Sequence, residues 1–229
     1  MKKVFVSCGH GGADPGAVGY IVEKEYTLKT ALALAEYLFE ANVDVMMSRT
    51  SDIETDLNEK IRKCNEYDPD LVVDVHFNAG GGYGFEAYYS RVGGTGKVLA
   101  ENVNSEISKI MHSRGIKTRL NSYGSDYFAI IRDTTAPAVL LEGGFVDDRG
   151  DANFIKDNYL SIARAYADGI LKTLNIKVPE KNADSDKSED VWYKIQLKAF
   201  RNKEYAEKYL EEVKAKGPEF SDAFITIEK

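Results

Sequence analysis

The chain has 229 residues, with a hydrophobic fraction of 43%, a charged fraction of 29% and a formal net charge of −7. This is the composition of a globular protein with one sizeable domain and room for a small second one, and it excludes general disorder. The acidic balance and the lack of a concentrated basic cluster argue against nucleic acid as a partner, and no stretch approaches the roughly 20 apolar residues of a membrane helix.

The N-terminus, MKKVFVSCGH, passes from two lysines straight into a short apolar strand interrupted by glycine. It therefore lacks the apolar core of a secretory signal. The expectation is a protein made in the cytoplasm without a signal peptide. The two cysteines, Cys8 in that strand and Cys64 in a helical pattern, provide no disulfide framework and read as buried, reduced thiols.

Strand candidates follow at Lys3–Cys8, Val43–Ser48, Asp70–His76, Phe85–Tyr89, Tyr127–Arg132 and Ala138–Glu142. Between them lie helical patterns with apolar residues three and four apart: Thr27–Glu40, Gly96–Ser113 and Asn153–Leu174. Alternating strands and helices of these lengths predict a three-layer α/β/α domain with a largely parallel sheet, over residues 1–176.

Residues 177–190 include VPEKNADSDKSED, dense in charge and without apolar periodicity. The expectation there is a flexible linker. Beyond it, residues 191–229 read as a small β-α-β module: a strand in WYKIQLKAF, an amphipathic helix in NKEYAEKYLEEVKAKG and a strand in DAFITIE. A unit of ~40 residues is marginal alone, so pairing of two copies into a homodimer is a natural remedy.

Four residues stand where strands end or helices begin: His10 in CGHGGADPGAVG, Glu23, His76 in LVVDVHFNA and Glu142 in PAVLLEGGF. A mostly parallel sheet gathers the carboxyl ends of its strands along one edge, where ligands bind. Two imidazoles and one carboxylate suit a catalytic Zn²⁺ that keeps its fourth position open, and a further carboxylate is left to move protons. His10 and His76 both follow apolar strands; His112, the third of three histidines, does not. The loop GHGGADPGAVG has neither the GxGxxG spacing nor the GK[ST] ending of a nucleotide-binding loop.

The run GHGG-x-DPGA-x-G, then EK-x-x-x-L from Glu23 to Leu28, H-x-NA from His76 to Ala79, GFE from Gly84 to Glu86, and PAVLLEGGF resembles the zinc-dependent N-acetylmuramoyl-L-alanine amidases of the amidase-3 type. The resemblance covers residues 1–174. It implies that His10, Glu23 and His76 bind Zn²⁺ and that Glu142 is the catalytic carboxylate. Glu25, two residues after Glu23, is the alternative ligand; the EK-x-x-x-L alignment favours Glu23. The implied reaction is hydrolysis of the amide joining N-acetylmuramic acid to L-alanine of the stem peptide, by zinc-activated water with a glutamate general base. The partner is then bacterial peptidoglycan, met after release or lysis, as for a phage or prophage lysis enzyme or an autolysin. Asn78 and Asp14 are candidates for positioning roles, and Tyr83, Tyr123 and Tyr127 for stacking on sugar or flanking the peptide. The tail resembles half of a sporulation-related repeat domain, a peptidoglycan-binding module.

Three alternatives compete. A cysteine amidase would use Cys8 with His10 or His76, but a thiol inside an apolar strand is usually inert. Another metallopeptidase or a deacetylase would share the metal ligands. A zinc-free structural protein would have no use for two His and two Glu so placed, although an ion pair between Glu142 and Arg132 is the bland reading of that acid.

Overall fold

Five apolar strand runs separated by amphipathic helices can bury their side chains only by stacking helices on both faces of one sheet. The computed structural model, which describes residues 1–177, 192–195, 198–200, 207, 210–211 and 225–228, shows this arrangement. The chain divides into two compact units, Met1–Val178 and Pro179–Lys229.

In the first unit six strands run β2 (Asp44–Met47), β1 (Lys3–Cys8), β3 (Leu71–Asn78), β6 (Ala138–Phe145), β4 (Phe85–Tyr89) and β5 (Ser113–Lys117) across the sheet. All neighbours are parallel except β4 and β6. Helices α1 (Glu23–Glu40), α3 (Gly94–Ile107) and α5 (Arg149–Thr173) pack together on one face. Under them lies the main core, with Val4, Val6, Val73, Val75, Val139 and Leu141 alternating along the strands. Helices α2 (Leu57–Tyr67) and α4 (Ala129–Arg132) cover only part of the other face, where Phe5, Val72, Ala138 and Leu140 meet Cys64, Ile130 and Ile131. The architecture is the expected three-layer α/β/α.

The polar positions fall on this partly covered face. Pairing aligns Ser7 with Asp74, Asp74 with Leu140, and His76 with Glu142. Directly paired residues share a sheet face, so Asp74, His76 and Glu142 stand together toward the carboxyl ends of their strands, where Leu57 and Lys60 of α2 and Ile130 of α4 meet them at one cleft.

Several expectations change. Tyr127–Arg132 is not a strand: Ala129–Arg132 forms α4, burying Ile130 and Ile131. A short apolar run does not distinguish strand from buried helix by periodicity. The helix expected over Gly96–Ser113 stops at Ile107, and Ser113–Lys117 (SRGIK) is an edge strand. Its polar residues, glycine and one-sided pairing give it no apolar alternation. Helix α1 starts at Glu23, four residues before the expected start, with Glu23 and Glu25 in its first turn near the positive end of the helix dipole. Helix α2 is capped by Asp56, whose side chain accepts from Glu59 N at 3.0 Å.

In the second unit β7 (Trp192–Ile195), β8 (Lys198–Phe200) and β9 (Ile225–Glu228) form an antiparallel sheet in the order β8-β7-β9. The run WYKIQLKAF is thus two paired strands and not one, because Ile195 pairs with Lys198 across a reversal. Glu207, Leu210 and Glu211 are helical. The expected linker beyond Lys177 and the rest of the expected helix lie outside the described residues.

Candidate active site and metal centre

The loop after β1 continues the sheet for one residue, with Gly9 N donating to Val75 O at 2.9 Å. It then reverses at His10, which takes φ 57°. Glycine is required at two points where other side chains press on this backbone. A Cβ at Gly9 would lie 2.5 Å from His76 Cε1, and one at Gly16 (φ +65°) would lie 2.5 Å from His10 Cδ2 and 2.6 Å from Glu23 Oε2. The glycines of the first motif therefore let the two imidazoles and the carboxylate close on each other.

Glu23, 3% exposed in the first turn of α1, is the hub. Its Oε1 lies 2.9 Å from His76 Nδ1 and its Oε2 3.1 Å from His10 Nε2. Backbone N–H groups of Phe77 (3.1 Å) and Ala17 (2.8 Å) donate to the same two oxygens. The outer ring nitrogens are held by aspartates: His10 Nδ1 is 2.7 Å from Asp14 Oδ2, and His76 Nε2 is 3.4 Å from Asp74 Oδ2. A chain of alternating acids and bases results, Asp74, His76, Glu23, His10, Asp14. One ligand atom from each of His10, Glu23 and His76 lies within 4.8 Å of the others. Glu25 is exposed on the same helix and takes no part.

The electrostatics fit a cation-binding pocket. Burial alone would raise the Glu23 carboxyl, but hydrogen bonds from His10 and His76 overcome it and hold the group below the usual carboxylate range. Burial would lower both imidazoles, yet His76 is driven well above its ordinary value by Asp74 and Glu23, and His10 is raised by Glu23 and Asp14. A divalent cation between the two rings would displace any proton on their inner nitrogens, with the Glu23 carboxylate already ionised. Two imidazole nitrogens, one carboxylate oxygen and a carboxylate behind each imidazole are the donor set and outer support typical of zinc.

Glu142 lies across the parallel pair from His76. Its Oε2 is buried and has no hydrogen-bond partner, and burial, reinforced by Glu23, Asp74 and Glu86 against the opposing charge of His76, pushes its pKa up to about 7. Such a group can take or give a proton near neutrality. The ion pair with Arg132 does not form: Arg132 bonds Asp133 at 2.7 Å. His10, Asp74, His76 and Glu142 line a cleft of about 310 Å³ together with the apolar Leu57, Phe128, Ile130 and Leu140.

Of the two positioning candidates, Asp14 is at the site. Asn78 instead turns to Glu86, with Nδ2 donating to Oε2 at 3.4 Å. Cys8 is fully buried, its thiol pushed up to about 11 by burial, and it sits on the helix-covered side with Val4 and Val6. That removes the cysteine mechanism. Both cysteines are free. His112 is exposed and stacks on Tyr83 at 4.8 Å.

Sequence reading missed Asp74, Lys60 and Arg49. Asp74 precedes His76 by two residues and so shares its face, a signal visible in DVH. Lys60 is 8% exposed, lines the cleft, and donates to Cys8 O at 2.7 Å. Arg49, 2% exposed, donates to Gly9 O and Lys24 O, both at 2.9 Å, and to Ser51 O at 3.1 Å. One guanidinium thereby ties the residue before His10 to the residue after Glu23.

The N-acetylmuramoyl-L-alanine amidase family of the amidase-3 type matches residues 4–172. N-acetylmuramoyl-L-alanine amidase CwlM of Bacillus licheniformis is 38% identical over 225 residues, covering 95% of this chain and 83% of that protein. The endolysin of Bacillus phage SPP1 is 36% identical over 201 residues, covering 82% of this chain and 72% of that protein. Among solved structures, the catalytic domain of CwlV, an N-acetylmuramoyl-L-alanine amidase from Bacillus (Paenibacillus) polymyxa var. colistinus, matches with a TM-score of 0.68 and 29% identity, over 77% of this chain and 100% of that one. By its family match, its relatives and its fold, the chain belongs to the amidase-3 family of N-acetylmuramoyl-L-alanine amidases.

Proposed function

We propose that this amidase cleaves the bond between the lactyl group of N-acetylmuramic acid and L-alanine of the stem peptide at a zinc centre held by His10, Glu23 and His76, with Glu142 as the proton-transfer group. The observation that carries this reading is the convergence of His10 Nε2, His76 Nδ1 and the Glu23 carboxylate beside the one buried, unpartnered oxygen of Glu142. When bound, zinc supplies a Lewis acid that makes water a nucleophile at neutral pH and polarises a carbonyl.

The protein's own groups do the rest. Asp14 and Asp74 keep the outer nitrogens of His10 and His76 engaged, so the inner nitrogens face the metal position. Glu142 takes the proton of the attacking water and returns it to the leaving amine as the C–N bond breaks, for which a carboxyl titrating near 7 is suited. The apolar lining of the cleft, Leu57, Phe128 and Ile130, keeps bulk water from the reacting carbonyl. Purified peptidoglycan incubated with the protein should yield new L-alanine amino termini and free muramic lactyl groups, and a chelator should stop their release. New reducing sugar ends or peptide-internal termini in their place would overturn this reading.

Residues 191–229 are proposed to hold the enzyme on the wall, singly or as a homodimer built through this tail. The similarity to CwlM covers 95% of the chain and so runs well beyond residue 172, where the family match stops. A tethered site raises the local enzyme concentration on an insoluble substrate. Removal of residues 177–229 should weaken retention on sedimented peptidoglycan more than it slows hydrolysis of a soluble muramoyl-peptide; equal effects would exclude a wall-binding tail, and light scattering on both forms reads the assembly state. The place of action is the cell wall at lysis or remodelling, in line with an endolysin among the relatives.

A further inference from the structure

Between β5 and α4 the chain forms a small hairpin, residues 119–127, at the rim of the cleft. It is built firmly for an exposed loop. Tyr127 N donates to Arg119 O at 2.8 Å and Asn121 N to Ser125 O at 2.8 Å, while the Asn121 side chain accepts from Tyr123 N (2.9 Å) and Ser125 N (3.1 Å). At its base Asp126 accepts from Ser90 Oγ (2.6 Å) and Arg91 N (2.8 Å), and Arg132 donates to the carbonyls of Asp126 (3.1 Å) and Tyr127 (3.2 Å).

The Arg119 guanidinium lies flat on Tyr127, its Cζ 3.8 Å from the ring centroid. Tyr127 meets Phe128 edge-on at 5.2 Å, and Phe128 lines the cleft. The neighbouring cations Arg114 and Lys117 are bound to Glu86. Among the described residues Arg119 has no acidic partner, so its planar edge of N–H donors is open. The cleft itself is lined by Asp14, Glu54, Asp74 and Glu142, and its one lysine, Lys60, is engaged beneath by the Cys8 carbonyl. The Arg119 guanidinium thus gives the hairpin a carboxylate-pairing edge beside Phe128 of the cleft lining.

We propose that Arg119, held on Tyr127, is a specificity site that binds a free carboxylate of the stem peptide beyond the scissile amide. The assignment deepens the amidase reading and names which chemical form of the wall the enzyme prefers: a peptide with a free carboxylate after L-alanine over one with a carboxamide. A guanidinium fork pairs bidentately with a carboxylate, and aromatic stacking removes the rotamer freedom that such a contact otherwise costs.

The test is equilibrium binding to the full chain with zinc added, in the Glu142→Gln background so that no probe is consumed. The probes are two soluble N-acetylmuramoyl-L-alanyl-D-glutamate derivatives with the γ-carboxyl blocked as its methylamide, one with a free α-carboxylate and the other with an α-carboxamide. The parent should bind the carboxylate form about 10-fold more tightly, the step expected for a hydrogen bond to a charged group. Arg119→Gln should erase this preference and leave carboxamide binding within about twofold, and Arg119→Lys should retain part of it. A parent that does not discriminate, or an Arg119→Gln protein that discriminates equally well, overturns the assignment. Failure of the wild-type protein to cleave the muramoyl amide would instead strike the amidase reading, which the binding ratio does not depend on.

Discussion

Glu86 on β4 and Glu142 on β6 face each other across the single antiparallel pair of the catalytic sheet, and their surroundings drive them in opposite directions. Burial would raise Glu86, but Lys117, Tyr88 and Arg114 surround it and hold it ionised, below its ordinary value. Glu142 has no cation of its own and one oxygen with no partner, and burial raises it to about 7. Two carboxylates set apart in this way are suited to separate roles, one a fixed charge and the other the proton carrier proposed above.

Glu142→Gln should therefore keep its zinc and lose turnover. Removal of a positioned general base commonly costs about 10²- to 10⁴-fold in rate. Metal stoichiometry and hydrolysis of peptidoglycan, read on one preparation, separate the effects. Zinc lost along with activity would make Glu142 a ligand.

The raised pKa of Glu142 also fixes a sign for stability in the metal-free protein. Folding favours its protonated form, so its contribution is fully present below about 4.5, the unfolded value, and is lost as pH rises through about 7. Glu142→Gln removes that loss. Relative to wild type, the variant should gain on the order of 1 to 3 kcal/mol between pH 5 and pH 8. Urea unfolding of both chelator-treated proteins at the two pH values measures the difference, which includes the share of His76, whose pKa Glu142 helps to raise.

Loss of any one of His10, Glu23 or His76 to alanine should remove zinc and activity, whereas Glu25→Ala should retain both, since Glu25 is exposed and outside the ligand cluster. Asp74→Asn should bind zinc about 10- to 100-fold more weakly in chelator competition, the usual cost of removing a carboxylate behind a metal-bound imidazole. Unchanged affinity would reduce Asp74 to a bystander.

Arg49→Lys tests the tie between the two ligand-bearing segments. A lysine cannot reach Gly9 O, Lys24 O and Ser51 O together, so the tie is lost even though Thr27 Oγ1 still donates to Gly9 O and Lys24 O. The expected result is a lower thermal midpoint together with weaker zinc binding, and added zinc should restore part of the midpoint. A variant less stable but equal in zinc affinity would confine Arg49 to folding.

Cys8→Ser should remain active. The thiol is buried and raised to about 11, so it supplies no thiolate at neutral pH. Stability should fall by about 1–3 kcal/mol, because a hydroxyl replaces a thiol in an apolar setting. Abolished hydrolysis by a folded, zinc-loaded variant would return the cysteine mechanism to consideration.

The sequence alone determined the layered α/β architecture, because strand and helix periodicities follow directly from which side chains must be buried. His10, His76 and Glu142 were legible as candidates, because each falls in or just after an apolar run and the carboxyl ends of parallel strands share one edge, although β3 and β6 run on to Asn78 and Phe145. Three things needed the tertiary structure. The motif alignment already favoured Glu23 over Glu25, but which face of α1 meets the sheet, with Glu23 buried and Glu25 exposed, is seen only in the structure. Arg49 and Lys60 act through contacts between residues far apart in sequence, such as Lys60 with Cys8 O, 52 positions away, and no local pattern encodes such a pairing, whereas Asp74 is legible in DVH two residues before His76. Strand β5 and helix α4 were misread because one is a polar edge and the other a four-residue apolar run. In both, long-range packing overrides local preference, and only the assembled sheet shows where the Arg119 hairpin meets the cleft.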